Sequence, residues 1–310
     1  MSKEITRREF IKTSAAIGAA SVLGKTVLPR LVLANEPVDI GVVKGKDYFA
    51  NTKKAIELVG GIEKFVPKKS RVALLPNPQR NNPGAFTSPE VLRAVIQMCK
   101  DAGAADIACI SWLKPDYWEK TGLKAVVESE GVGLVISDLK DESLFKPVPI
   151  PKGVNLKEAR IMKTYFDYDV LVDIPITKDH SGNRFTGTMK NLMALNSPKS
   201  NGTFHQKNWK TDPAAINHME QCIADLNTII EPDLCVVDAT EFIITNGPFG
   251  PGKLHKPMKV VAGKDRVAID SYCAALWDLD PKEIIAINKA YAHGVGEMNL
   301  KSMKIKEIEI

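Results

Sequence analysis

The chain has 310 residues, 25% of them charged, with five cysteines and a formal net charge of +5. Residues 1–34 hold six Lys/Arg and two Asp/Glu, so the remaining 276 residues keep 36 basic against 35 acidic side chains; with no basic stripe left, a nucleic-acid partner is excluded. That length suits one large α/β domain, or two lobes, because a single core is hard to extend beyond about 250 to 300 residues.

The first residues read as an export signal. TRREFIK at Thr6 to Lys12 is followed by TSAAIGAASVLG, a basic start, a short run of small and apolar residues, and then a small-residue cleavage site. The Arg7–Arg8 pair, with Phe10 and Lys12 behind it, marks the twin-arginine variant, and LVLA places cleavage after Ala34. The apolar stretch falls short of the roughly 18 to 20 residues that cross a bilayer, so no transmembrane anchor is expected after cleavage. The expected organisation is a twin-arginine signal over 1–34 and a single α/β domain over 35–310. The expected location is periplasmic or otherwise extracytoplasmic, with the twin-arginine machinery as a partner.

From Val38 onward, apolar runs alternate with amphipathic segments, the pattern of a largely parallel central sheet with helices on both faces. Strands are expected at VDIGVV (38–43), RVALLP (71–76), ADIACIS (105–111), VGLVIS (132–137), DVLVDIP (169–175), LCVVDATEF (234–242) and MKVVAG (258–263), with MKIKEIEI (303–310) as an edge strand. Helices are expected over 47–60, 90–103, 214–230, 265–279 and 281–294, from apolar residues repeating at three and four. Ser88-Pro89 and Asp265 supply N-caps. The stretches 76–88 and 196–212 read as long loops. Cys99, Cys222 and Cys273 fall on helical patterns and Cys109 and Cys235 in strand-like runs, where a free thiol behaves as a small hydrophobe. An oxidising compartment leaves a disulfide open. No CxxC pair occurs, so the chain has no self-contained iron–sulfur motif.

Ligands of open parallel sheets sit beyond the carboxyl ends of the strands. Four polar clusters fall at such ends: LLPNPQRNNPG, ISDLKD, IPITKDHSGNRFTGTMKN and VVDATEFIITNGPFGPG. In the third, Thr186-Gly187-Thr188 is expected as the first turn of a helix carrying Met189, Leu192 and Met193, whose unpaired N–H groups would suit an anion. Lys190 and Arg184 would hold negative charge, and His180 is the candidate proton carrier, since imidazole titrates near neutrality. Asn77, Arg80, Lys178 and Asn191 are further candidate ligand contacts, and Asp238 would orient a partner or a metal. Gly247 and Gly250, in NGPFGPG, could let backbone approach a ligand closely. Each residue also has a plainer role open to it: a helix cap, a loop histidine bonding backbone, a solvated charge or a structural turn.

Four of these pieces together resemble the domain-of-unknown-function 362 family across nearly all of the mature region: VALLPNPQRNNPGAFTSPEVLRAVIQMCKDAGA, DVLVDIPITKDHSGNRFTGTMKNLMAL, CVVDATEFIITNGPFGPG and VVAGKDRVAIDSYCAALW. Pro175, Lys178, His180, Thr186, Gly187, Lys190 and Asn191 carry the most specific part. Asp179 departs from it, standing where the family shows threonine. The ferredoxin-like cysteine motifs appended in some members are absent here. The order His180, Gly187, Lys190, His205 is also similar to the catalytic segment of the nickel-pincer lactate racemases. That likeness implies a proton-transfer base at His180, a cofactor anchor at Lys190 and a metal ligand at His205, with no counterpart for the second catalytic histidine.

The combined expectation is acid–base, isomerase-like chemistry on a small carboxylate-like anion, with a metal-containing cofactor as one form of it. Two alternatives remain open on the sequence. One is a non-catalytic periplasmic anion binder; the other is an accessory partner of an iron–sulfur redox protein.

Overall fold

The alternation of apolar runs becomes a sheet because each run, once extended, presents side chains to two opposite faces. The computed structural model describes residues 37–310, and the expected export signal lies outside them. The strands are β1 (Ile40–Lys44), β2 (Arg71–Pro76), β3 (Asp106–Ser111), β4 (Gly133–Ile136), β5 (Phe145–Pro149) and β6 (Glu158–Met162). They continue with β7 (Val170–Ile174), β8 (Leu234–Ala239), β9 (Phe242–Ile243), β10 (Leu254–His255), β11 (Lys259–Gly263) and β12 (Ile305–Glu309). The α-helices are α1 (Tyr48–Leu58), α2 (Pro89–Asp101), α3 (Pro115–Lys120), α4 (Leu123–Ser129) and α5 (Thr188–Asn191). After them come α6 (Pro198–Phe204), α7 (Pro213–Leu226), α8 (Arg266–Ala275) and α9 (Ile285–Ala292).

Eight strands form one sheet in the order β12-β1-β11-β8-β7-β2-β3-β4. All neighbours are parallel except β11, which runs antiparallel to both β1 and β8. The exception has a local cause. Between β8 and β11 the chain makes only the small β9–β10 hairpin, and without a crossover helix a returning strand must run the other way. The sheet is therefore largely parallel with helices on both faces, as the alternation predicts.

Residues of β2 show how the two faces fill. Val72 and Leu74 join Ile56, Leu92, Val95 and Val126 from α1, α2 and α4 in one buried cluster. Ala73 and Leu75 face the other cluster, with Met219 and Ile223 from α7, Ile269 from α8 and Ile287 from α9. The helices start where the sequence supplies a cap: Ser88 accepts from Glu90 N, and Asp265 accepts from Val267 N and Ala268 N. All five cysteines are free and buried.

Three features depart from the sequence pattern. Segment 115–129, unread in the sequence, makes the short helices α3 and α4, and the 196–212 loop contains α6. The β5–β6 hairpin stands outside the main sheet; its strand FKPVP carries two prolines, which remove ladder donors and hide the strand signal. The third departure, the single antiparallel strand, depends on chain return rather than on the composition of β11.

Strand β2 lies between β3 on one side and β7 on the other. The chain leaves β2 in one direction and returns beside it on the other, so a crevice opens beyond the carboxyl ends of these strands. The site lies there.

Candidate active site

A cavity of about 270 Å³ occupies this crevice. The end of β2 contributes Asn77 and Pro78, and the end of β3 contributes Trp112 and Leu113. His180, Ser181 and Thr186 come from the loop after β7, and Lys190, Asn191 and Met193 from the helical turn that follows. The 205–210 segment adds His205, Trp209 and Lys210, and the turn after β9 adds Gly247, Pro248 and Phe249. Two of these loops are stitched together: Gly247 N donates to Asp179 Oδ2 at 2.7 Å, and Ser181 Oγ donates to the Gly247 carbonyl at 2.8 Å. Asp179, the residue that departs from the family pattern, thus holds the glycine-rich turn against the His180 loop.

Two imidazoles are set in the same state. His180 Nδ1 lies 2.8 Å from the Ser181 carbonyl, and His205 Nδ1 lies 2.9 Å from the Asn201 carbonyl. A carbonyl only accepts, so each Nδ1 carries the proton and each Nε2 keeps its lone pair. Burial, reinforced by the charge of Lys190, pushes His180 well below the ordinary histidine range. Burial also lowers His205. Both rings pack against Trp209, with centroids 5.7 and 4.7 Å away. Neutral imidazole is the form that can take a proton.

Lys190 supplies the charge. Its Nζ lies 3.6 Å from the Met193 sulfur, and it forms no direct ion pair among the described residues. Burial pulls its pKa down, opposed by the Glu220 carboxylate. Glu220 itself is pushed up by burial and accepts from Ala286 N at 2.8 Å. It lies behind Lys190, lining a separate small void of about 10 Å³ together with Gly187. None of the residues lining the main cavity is acidic. Two residues of its lining, Thr186 and Trp112, also carry a buried donor without a hydrogen-bond partner, neither of which is exposed in the cavity. A cationic, acid-free cavity fits an anion.

The helix start does not serve that purpose. Helix α5 begins at Thr188 rather than at Thr186, and after four residues it tightens into a 3-10 turn over Leu192–Leu195. Asp270 of α8 already occupies its first N–H groups, accepting from Thr188 N at 2.7 Å, Met189 N at 3.1 Å and Thr188 Oγ1 at 2.9 Å. A Cβ on Gly187 would collide with that carboxylate, which explains the glycine. The anion at this helix start is therefore the protein's own.

A hydrogen-bonded polar layer underlies the cavity, with one carboxylate oxygen, Asp173 Oδ2, left without a partner. Asn77 Nδ2 donates to Asn191 Oδ1 at 3.0 Å, and Asn191 Nδ2 donates to Asp173 Oδ1 at 2.7 Å and to the Leu75 carbonyl at 2.9 Å. Lys178 is fully buried beside this layer, donating to the Ala85 carbonyl and to Asn77 Oδ1. Burial, with Lys190 adding, lowers its pKa to about 7. It fastens the 77–87 loop and does not line the cavity.

The crevice thus gathers Asn77, His180, Thr186, Lys190, Asn191, His205 and Gly247. Four other candidates point to different partners. Arg184 sits at a left-handed φ of 63° and pairs on the surface with Glu283 at 3.2 Å, so it does not reinforce Lys190. Asp238 is buried as a cap, accepting from Ser88 N, Thr240 N and Thr240 Oγ1, and does not line the cavity. Arg80 stacks between the rings of Phe249 and Tyr117, 4.6 and 5.4 Å from their centroids, touching the site only through Phe249. Gly250 turns at a φ of 67° beside Asn82, away from the lining. The ISDLKD cluster contributes nothing; the neighbouring β3 end does so through Trp112. Trp112 directly follows an apolar strand, a position that could have flagged it, whereas Trp209 carries no local signal.

As for a metal, the cavity offers two imidazoles and an amine. Among the described residues no group of three or more His, Cys, Asp or Glu side chains is placed to hold one. A metal at His205 would have to bring ligands of another kind.

Comparison with known proteins follows the same boundaries. Residues 72–275 match the family described as "Domain of unknown function (DUF362)". The chain belongs to this family. The matched span of this DUF362 protein contains every residue of the cavity wall named above. It is similar to the thylakoid-associated protein sll1697 of Synechocystis sp., 26% identical over 245 residues, which cover 76% of this chain and 71% of that one. Among solved structures, the lactate racemase apoprotein from Thermoanaerobacterium thermosaccharolyticum overlaps it with a TM-score of 0.47 and 12% identity, over 83% of this chain and 57% of that chain. A Thermotoga maritima protein overlaps with a TM-score of 0.39 and 12% identity, over 61% of this chain and 49% of that one. This chain spans less than two thirds of either structure, and the site is read from its own residues.

Proposed function

We propose that this DUF362 protein is exported and performs proton-transfer chemistry on a small carboxylate in the cavity beyond β2, β3 and β7. Lys190 attracts the carboxylate, and His180 moves the proton. The observation that carries the reading is the pairing of a neutral His180 with Lys190 in one cavity that no acidic side chain lines. An acid there would neutralise Lys190 and repel the ligand. A base must reach its proton directly or through one water, and a cavity of about 270 Å³ keeps any small ligand close to the imidazole. Export is supported by Arg7–Arg8 and the small-residue run behind them.

The test is hydrogen–deuterium exchange at the carbon next to the carboxylate, followed by proton NMR in D₂O with lactate, malate and mandelate as probes. The wild type should exchange at least one of them. His180→Gln should slow exchange by about 100-fold or more, the usual contribution of a general base, while leaving affinity within a few-fold. Full exchange in that variant contradicts the role of His180. Binding of all three probes without exchange in either protein would instead assign a binder.

A further inference from the structure

Lys178 is fully buried and Lys190 partly so, and only Lys178 has its amine engaged by oxygen acceptors. Lys178 donates to a carbonyl and an amide oxygen. Lys190 has a thioether at 3.6 Å and lines the cavity. Around it stand a 4% exposed Thr186 whose hydroxyl has no partner, a Trp112 N–H in the same condition, and two imidazoles with free Nε2 atoms. An amine held this way, partly buried and free of a direct ion pair, is in its neutral form a nucleophile toward carbonyl carbon.

We propose that Lys190 forms a Schiff base with the keto group of a small 2-oxo carboxylate, the carboxylate being fixed by the same acid-free cavity. The inference rests on the reading of that cavity as an anion site and adds a covalent step to it. The Lys190 nitrogen adds to the carbonyl carbon and a C–N bond forms. The carbonyl oxygen then leaves as water with the two protons lost by the neutral amine, giving a C=N bond. Protonation of the imine nitrogen withdraws electrons from the neighbouring carbon, and His180 Nε2 can accept the proton released there. The ligand class follows from size as well: the cavity is smaller than the roughly 300–1,000 Å³ of sites for drug-sized ligands. A short 2-oxo acid suits it better than a nucleotide.

The test uses the purified protein, pyruvate as probe, and borohydride to reduce any imine to a stable amine, read by intact mass and peptide mapping. The expected result is one reduced pyruvyl adduct per chain, mapping to Lys190. It should be lost in Lys190→Arg, which keeps the charge, and retained in Lys178→Arg. Mapping in the unsubstituted chain decides the point even if Lys190→Arg folds poorly. Adducts scattered over surface lysines overturn the proposal. So does a chain that already carries added mass on Lys190 when purified. Calorimetry on the same samples separates the two readings. Pyruvate that binds without a trapped adduct removes the Schiff base and leaves the anion site, whereas pyruvate that does not bind overturns both for this acid.

Discussion

The cavity wall and the polar layer beneath it are built from the same segment and differ in one respect. In the layer Asn77 and Asn191 bond to each other and on to Asp173, of which only Oδ2 is unmatched, and the α5 start is closed by Asp270. On the wall, Lys190 lacks a direct counter-charge and both imidazoles keep a free Nε2. The layer is thus the scaffold and the wall is the site. Helix start, glycine and lysine are features usually associated with anion binding, yet here the first two serve the layer.

The difference can be broken or sharpened by substitution. The largest effect is expected at Lys178. Its folded pKa lies near 7 against an ordinary 10.5, so between these values the unfolded chain holds a proton that the folded chain lacks. The contribution of this group to stability should therefore rise with pH across that window by about 1.4 kcal/mol per unit, while the five buried cysteines, whose pKa values burial raises, act in the opposite sense as the unfolded thiols ionise toward pH 9. Lys178→Met should lose the Lys178 share of the slope relative to the wild type, as urea melts of both proteins at pH 7, 8 and 9 would register. Asp270→Ala comes next. It strands two backbone N–H groups in the core and should cost about 3 kcal/mol by denaturant unfolding, without altering the cavity wall directly.

Effects on the wall should be functional. Because burial and Lys190 hold His180 far below its usual range, the acid limb of any exchange activity should fall well below pH 6.5. Ligand affinity should weaken as pH rises through the lowered pKa of Lys190, with Glu220 behind it as the opposing charge. A pH–rate profile with an acid limb at the normal histidine value would contradict the tied Nδ1 and buried ring. The smallest effect belongs to Arg184→Ala. It breaks an exposed pair with Glu283 and should change stability by no more than about 0.5 kcal/mol and anion affinity not at all.

Much of the fold was legible because each main-sheet strand except the edge strand β12 is a short apolar run bounded by polar residues. The orientation of β11 was not, since it depends on the brief return through β9 and β10. At the site, His180, Thr186, Lys190, Asn191 and Asn77 could be collected from sequence because strand ends converge in a parallel sheet. Arg184, Asp238 and the α5 start misled for one reason. Their partners, Glu283, Thr240 with Ser88, and Asp270, are chosen by tertiary packing. A charge next to a glycine-rich turn has the same local sequence whether it faces a ligand or a neighbouring helix.

The most direct measurement is a calorimetric titration of lactate and pyruvate into the wild type, Lys190→Gln and Lys178→Gln at pH 7. Loss of a buried charge that holds a carboxylate typically costs about 2–5 kcal/mol. The account therefore predicts saturable binding to the wild type, a loss of about 30-fold or more in Lys190→Gln, and near-wild-type affinity in Lys178→Gln. Equal binding by the wild type and Lys190→Gln, or a greater loss from Lys178→Gln, would contradict it.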